Sequence, residues 1–128
     1  MKIASTIARY LLGFIFLVFG LNGFLHFIPM PPPPPGPAGQ FMGALFISHY
    51  LVPIFLLQLV PAILLLAGRY VPLALALLAP VIVNIFLFHA LMAPSGLPLA
   101  LVVTVLWILT FLSVRSAFAG IFQQRVQS

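Results

Sequence analysis

The chain of 128 residues contains no aspartate, no glutamate and no cysteine. Without a carboxylate there is no acid dyad, and no nucleophile–base pair or phosphate-cradling loop stands in for one, which excludes an autonomous hydrolase or phosphotransferase. Without cysteine there are no disulfides, no thiolate metal sites and no thiol redox chemistry. Any redox role therefore needs a bound cofactor or a partner. Charge of either sign is scarce: 4% of residues are charged, where soluble domains carry about 25%. What fills the space is apolar, at 64% of residues, so the lipid bilayer is the solvent this chain is written for.

A membrane-spanning helix takes about 20 apolar residues, so four spans and their turns account for the 128 residues as one transmembrane domain. The spans are expected at about residues 7–28, 50–67, 72–92 and 97–118. The opening MKIASTIARYLLGFIFLVFG resembles a signal peptide, but no A-x-A-like site follows and the apolar run continues to Ile28, so a retained first helix is expected. The loop Pro29 to Gly39 holds five consecutive prolines, Pro31 to Pro35, which impose extended polyproline II geometry. Gln40 to Ser48 reads as a short interfacial helix with Phe41, Met42, Leu45 and Phe46 on its apolar side. Gly68 and Arg69 close the second span, Pro72 opens the third, and Pro94, Ser95, Gly96 and Pro98 form the last turn.

The net charge of +5 comes from Lys2, Arg9, Arg69, Arg115 and Arg125. They are scattered rather than patched, which argues against nucleic acid as a partner. All five fall on one side of the four-span topology, and by the positive-inside rule that side is cytoplasmic. The expected fold is all-α: a four-helix transmembrane bundle with both termini cytoplasmic and a proline-rich outer loop carrying the short interfacial helix. Gly13, Gly20 and Gly23 suit close helix contact. Pro61 and Pro80 each free a carbonyl, of Leu57 and Ala76, either as packing kinks or as part of a lining.

Three stretches, RYLLGFIFLVFGLNGFLHFIPMP, PAGQFMGALFISHYLVP and AGRYVPLALALLAPVIVNIFLFHALMAPSGLPLAL, resemble the DoxX family of small four-helix bacterial membrane proteins, and they cover most of residues 9–101 in the family's order. The resemblance implies a bundle in the bacterial inner (cytoplasmic) membrane. It also implies a link to oxidoreductase assemblies, including thiosulfate-to-quinone electron transfer, and to complexes handling oxidative stress. The family usually carries a glutamate in the second span, where this chain has Gln58 within FLLQLVPAILLL. A glutamine hydrogen-bonds but carries no proton, which sets aside proton-coupled roles tied to that carboxylate.

Each span supplies one polar side chain at similar depth: Asn22, Gln58, Asn84 and Thr104. By the helical rise they lie roughly 9–12 Å below the outer surface. Two readings apply. The four could fix helix register, at about 0.6 kcal/mol each, or line a pocket for a small polar head such as a quinone carbonyl. Nearer the outer interface come His26, four residues after Asn22, then His89, and His49 at the start of the second span. A three-histidine metal site is chemically allowed, but no H-x-x-x-H spacing supports it. The alternatives are interfacial hydrogen bonds, or a substrate or proton-relay role for His26 and His89. Tyr10, Tyr50 and Tyr70 mark span ends as interfacial anchors, while Trp107 falls mid-span and is expected to pack inside.

The expectation is a non-catalytic subunit that anchors a redox partner and holds quinone or another lipophilic ligand. The candidate ligand-binding residues are Asn22, His26, Gln58, Asn84, His89 and Thr104. The alternative is a homo-oligomeric transport or lipid-handling protein.

Overall fold

The computed structural model of the chain describes residues 2–29, 32 and 35–125. Five α-helices and no strand occur among them: α1 (Lys2–Leu25), α2 (Pro37–Ile47), α3 (Leu51–Ala67), α4 (Val71–Leu91) and α5 (Leu97–Val114). A 3-10 turn, Pro94–Gly96, precedes α5, and a 3-10 helix, Arg115–Phe122, follows it. Most of the proline run and the end of the polar tail lie outside the described residues.

Three helical stretches, Lys2–Leu25, Val71–Leu91 and Pro94–Phe122, are each long and apolar enough to cross a membrane. Helix α3 has 17 residues, about 26 Å by its rise, a little short of a hydrocarbon core of about 30 Å. Only α2 and α3 together reach the required length, and they are bent by 87°. The bend is made at Ser48–Tyr50, where His49 takes a left-handed φ of 61° and the Ser48 hydroxyl accepts the Tyr50 N–H at 3.3 Å. Helix α2 starts with Pro37, where a missing N–H loses nothing. It presses Phe41 against Phe88 of α4 at 5.7 Å between ring centroids, while Phe46 and Ile47 stay exposed. These lengths and compositions are those of a multi-pass membrane protein.

The four long helices contact one another in a ring, α1 against α3 and α5, and α4 against α3 and α5. Antiparallel α1 and α3 make the most intimate pair because α1 presents glycines to it. A Cβ at Gly13 would stand 3.0 Å from Leu66, 3.2 Å from the Ala62 carbonyl and 3.2 Å from Leu65 Cβ. At Gly20 it would meet Leu59 at 2.9 Å, and at Gly23 the Phe55 ring at 2.4 Å. At the α3–α4 turn, Gly68 adopts φ 71° and sends its N–H to the Leu65 carbonyl, the left-handed cap that glycine takes without penalty. Tyr70 enters α4 with φ 54° and Pro72 follows in its first turn.

The core is not spread evenly along the helices. Leu12, Ala62, Leu65, Ala74, Leu75 and Leu78 are sealed, and all lie in the half that carries Lys2, Arg9, Arg69 and Arg115, here called the basic end. The 3-10 helix closes that end: Phe118 is buried and its ring lies 5.1 Å from that of Phe111. Trp107 stacks on Phe111 at 5.3 Å with the planes 9° apart. Toward the distal end Asn22 and Ala100 are buried, and the helix termini are exposed at both ends, Ile3 and Tyr70 at the basic end as much as Leu25 and Leu91 at the distal one.

Gly13→Ala should separate α1 from α3, because the Ala62 carbonyl and Leu65 Cβ crowd the new methyl along with the Leu66 side chain, and the first two cannot move aside without the helix. A loss of about 1–3 kcal/mol is expected, read as a lower unfolding midpoint in detergent. Gly43→Ala on α2, with nothing within 4 Å of the new atom, should leave the midpoint unchanged or slightly raised.

Candidate ligand-binding site

The polar side chains expected at one depth do not behave alike. Asn22 is buried at 6% exposure, but its carboxamide serves its own chain: Oδ1 accepts the Ile28 N–H at 2.7 Å, while the Asn22 carbonyl accepts the His26 N–H at 2.9 Å. Together these bonds close the end of α1 where His26 turns to φ 53°. Asn22 is a helix cap placed inside the protein.

Asn84 points outward and is exposed. Its Nδ2 donates to the Pro80 carbonyl at 2.7 Å, one turn back along its own helix. Thr104 is half-buried and donates to the Ala100 carbonyl at 2.8 Å, again within its helix. Both spend their donors within their own helices, and Asn84 lies on the exposed side, so similar depth does not give the four a common environment. Helix α4 turns Ala74, Leu75, Leu78, Val81 and Ile82 inward, and Asn84 falls off that face.

Gln58 differs from all of these. It lies at 8% exposure on the inner face of α3 with Pro61, Ala62 and Leu65, and its side chain makes no hydrogen bond among the described residues. No fully sealed side-chain nitrogen or oxygen lacks a partner, so the Gln58 amide keeps a small accessible surface. An amide held in apolar surroundings without a partner is destabilising by about 1–3 kcal/mol. It is also a ready donor and acceptor for anything that reaches it.

The histidines stay apart. His26 and His49 are exposed at opposite ends of the loop and α2. His89 is half-buried in the last turn of α4 with Nδ1 3.1 Å from the Ala93 carbonyl, a contact that assigns its proton to Nδ1 because a carbonyl only accepts. Its ring lies over Gly96, where a Cβ would come within 2.2 Å, so His89 ties α4 to the turn before α5. Among the described residues no three His, Cys, Asp or Glu side chains gather as a metal site requires.

Two residues outside the candidate set hydrogen-bond across from one helix to another. Arg9 on α1 donates Nη1 to the Leu65 carbonyl of α3, and its guanidinium lies 4.3 Å from the Tyr10 ring centroid. The carbonyls at a helix C-terminus have no partner within the helix and carry negative character, so a cation suits them. Trp107 on α5 donates Nε1 to the Leu75 carbonyl of α4 at 2.9 Å. The signals for both were in the sequence: a basic residue two turns inside an apolar helix, and a mid-span indole whose N–H must find an acceptor.

Compared with family models, curated proteins and solved structures, the chain matches none.

Asn22→Leu and Gln58→Met remove one buried amide each and should act in opposite directions. The first leaves the Ile28 N–H without an acceptor and should lower stability by about 1–3 kcal/mol. The second removes a group with no partner and should leave the detergent unfolding midpoint unchanged or higher. A clear destabilisation by Gln58→Met would mean that the amide is satisfied within the protein.

Proposed function

We propose that this chain is a DoxX-like four-helix membrane subunit that binds the polar head of a lipophilic ligand at Gln58 in its distal half. The observation that carries the reading is the Gln58 amide: nearly buried, still reachable, and unpartnered among the described residues. A quinone carbonyl accepts one hydrogen bond from such an amide, and its isoprenoid tail shares the solvent of the surrounding helices. The amide keeps a small accessible surface through which a carbonyl can approach.

In this reading the protein performs no chemistry alone. It sits in the bacterial inner membrane with both termini and its basic end in the cytoplasm, as the positive-inside rule directs, and it anchors a redox partner that uses the ligand. The partner and the quinone rest on the resemblance to DoxX; the placement of the head group rests on Gln58. Asn84 and Thr104, bonded within their own helices, take no part.

The test is photolabelling of the detergent-purified protein with an azido-quinone. Gln58→Leu should lower labelling about five- to tenfold, the worth of one hydrogen bond of about 1–1.4 kcal/mol. Asn84→Leu should leave labelling as it is. Equal labelling of the native chain and Gln58→Leu would overturn the assignment.

A further inference from the structure

At the basic end, α1 and α5 part to leave a groove of about 450 Å³ lined by Lys2, Ser5, Thr6, Arg9, Leu112 and Ser113. A second, smaller hollow of about 260 Å³ adjoins it, lined by Lys2, Ile3, Thr6 and Ile7. The two share Lys2 and Thr6, so a polar, cationic groove borders an open apolar hollow on the surface of α1. Two basic side chains meet in the groove, and no aspartate or glutamate exists anywhere in the chain to neutralise them. Arg9 spends one N–H on the Leu65 carbonyl, which fixes the guanidinium in place and leaves its other donors available. The Lys2 ammonium has no hydrogen-bond partner among the described residues. Thr6 and Ser113 donate their hydroxyl protons to the Lys2 and Thr110 carbonyls, so the free donors in the groove are the two cations.

We propose that this groove is a binding site for an anionic phospholipid. The phosphate sits between Lys2 and Arg9, and the start of an acyl chain lies along Ile3 and Ile7. The counter-charge has to come from outside the chain, and a bilayer supplies it at the depth where these helices end. A free phosphate would satisfy the cations but leave the adjoining apolar hollow unused; an anionic lipid fills both. This site lies at the opposite end of the helices from Gln58 and does not depend on the ligand proposed there.

Native mass spectrometry of the detergent-purified protein, titrated with phosphatidylglycerol, phosphatidylcholine of the same chains, or glycerol phosphate, tests it. Near a charged surface each basic residue is worth about fivefold in lipid affinity. Phosphatidylglycerol should therefore bind about thirtyfold more tightly than phosphatidylcholine, and glycerol phosphate should give no retained adduct. Lys2→Gln should lower phosphatidylglycerol binding about fivefold, while Arg125→Gln, which removes the same charge from outside the groove, should leave it unchanged. Arg9→Gln also removes the α1–α3 bond, so Lys2→Gln is the deciding variant. Equal binding of the two lipids would overturn the proposal. So would equal losses in Lys2→Gln and Arg125→Gln, which would reduce the effect to general charge attraction. Retained glycerol phosphate would make the groove a free-phosphate site and overturn the lipid assignment.

Discussion

Every hydrogen-bonding group in this protein has to be satisfied without a carboxylate, and the rest of the structure follows from how that is done. In hydrocarbon an unpaired polar group is costly, and the acceptors at hand are main-chain carbonyls. Thr104, Thr110 and Asn84 each donate to the carbonyl four residues back, which satisfies the side chain but links nothing. Two side chains, Arg9 and Trp107, are long enough to reach the backbone of a neighbouring helix and bond to it. The first ties α1 to the end of α3, and the second ties α5 to α4. Each bond joins one of the contacting pairs that make up the ring, and both lie toward the basic end.

That placement explains the uneven core. Where Arg9 and Trp107 hold the backbones together, the leucines between them are sealed and Phe118 folds back to close the end. Toward the distal end the helices are joined by glycine contacts of α1 with α3 and by rings at the surface, such as Phe24 against Phe55 at 6.0 Å. A half with few interhelical bonds opens more readily than a half with many. Gln58 sits on α3 between Phe55 and Leu59, the residues that face Gly23 and Gly20.

The two ends therefore offer different chemistry. The basic end gathers positive charge around a sealed core, and the distal end places the Gln58 amide among apolar side chains. Among the described residues no three metal-ligating side chains gather at either end.

The sequence alone determined the helical class, the apolar stretches of membrane-spanning length and the gathering of Lys2, Arg9, Arg69 and Arg115 at one end, while the first helix, expected at 7–28, runs over Lys2–Leu25. These follow from composition, span length, Pro and Gly punctuation and charge bias, all of which are local. It also marked Gly13, Gly20 and Gly23 as contact positions, since only small residues allow such close approach. It did not determine which polar residues face inward. In water the buried face of a helix is apolar and the exposed face polar, so periodicity reveals the orientation. In a bilayer both faces are apolar, and α4 reads the same all round. Asn22 and Asn84 were therefore equivalent by depth, yet one caps its helix from inside and the other points outward. Only the packing of α1, α3, α4 and α5 decided that, and it left Gln58 as a buried amide with no bond among the described residues.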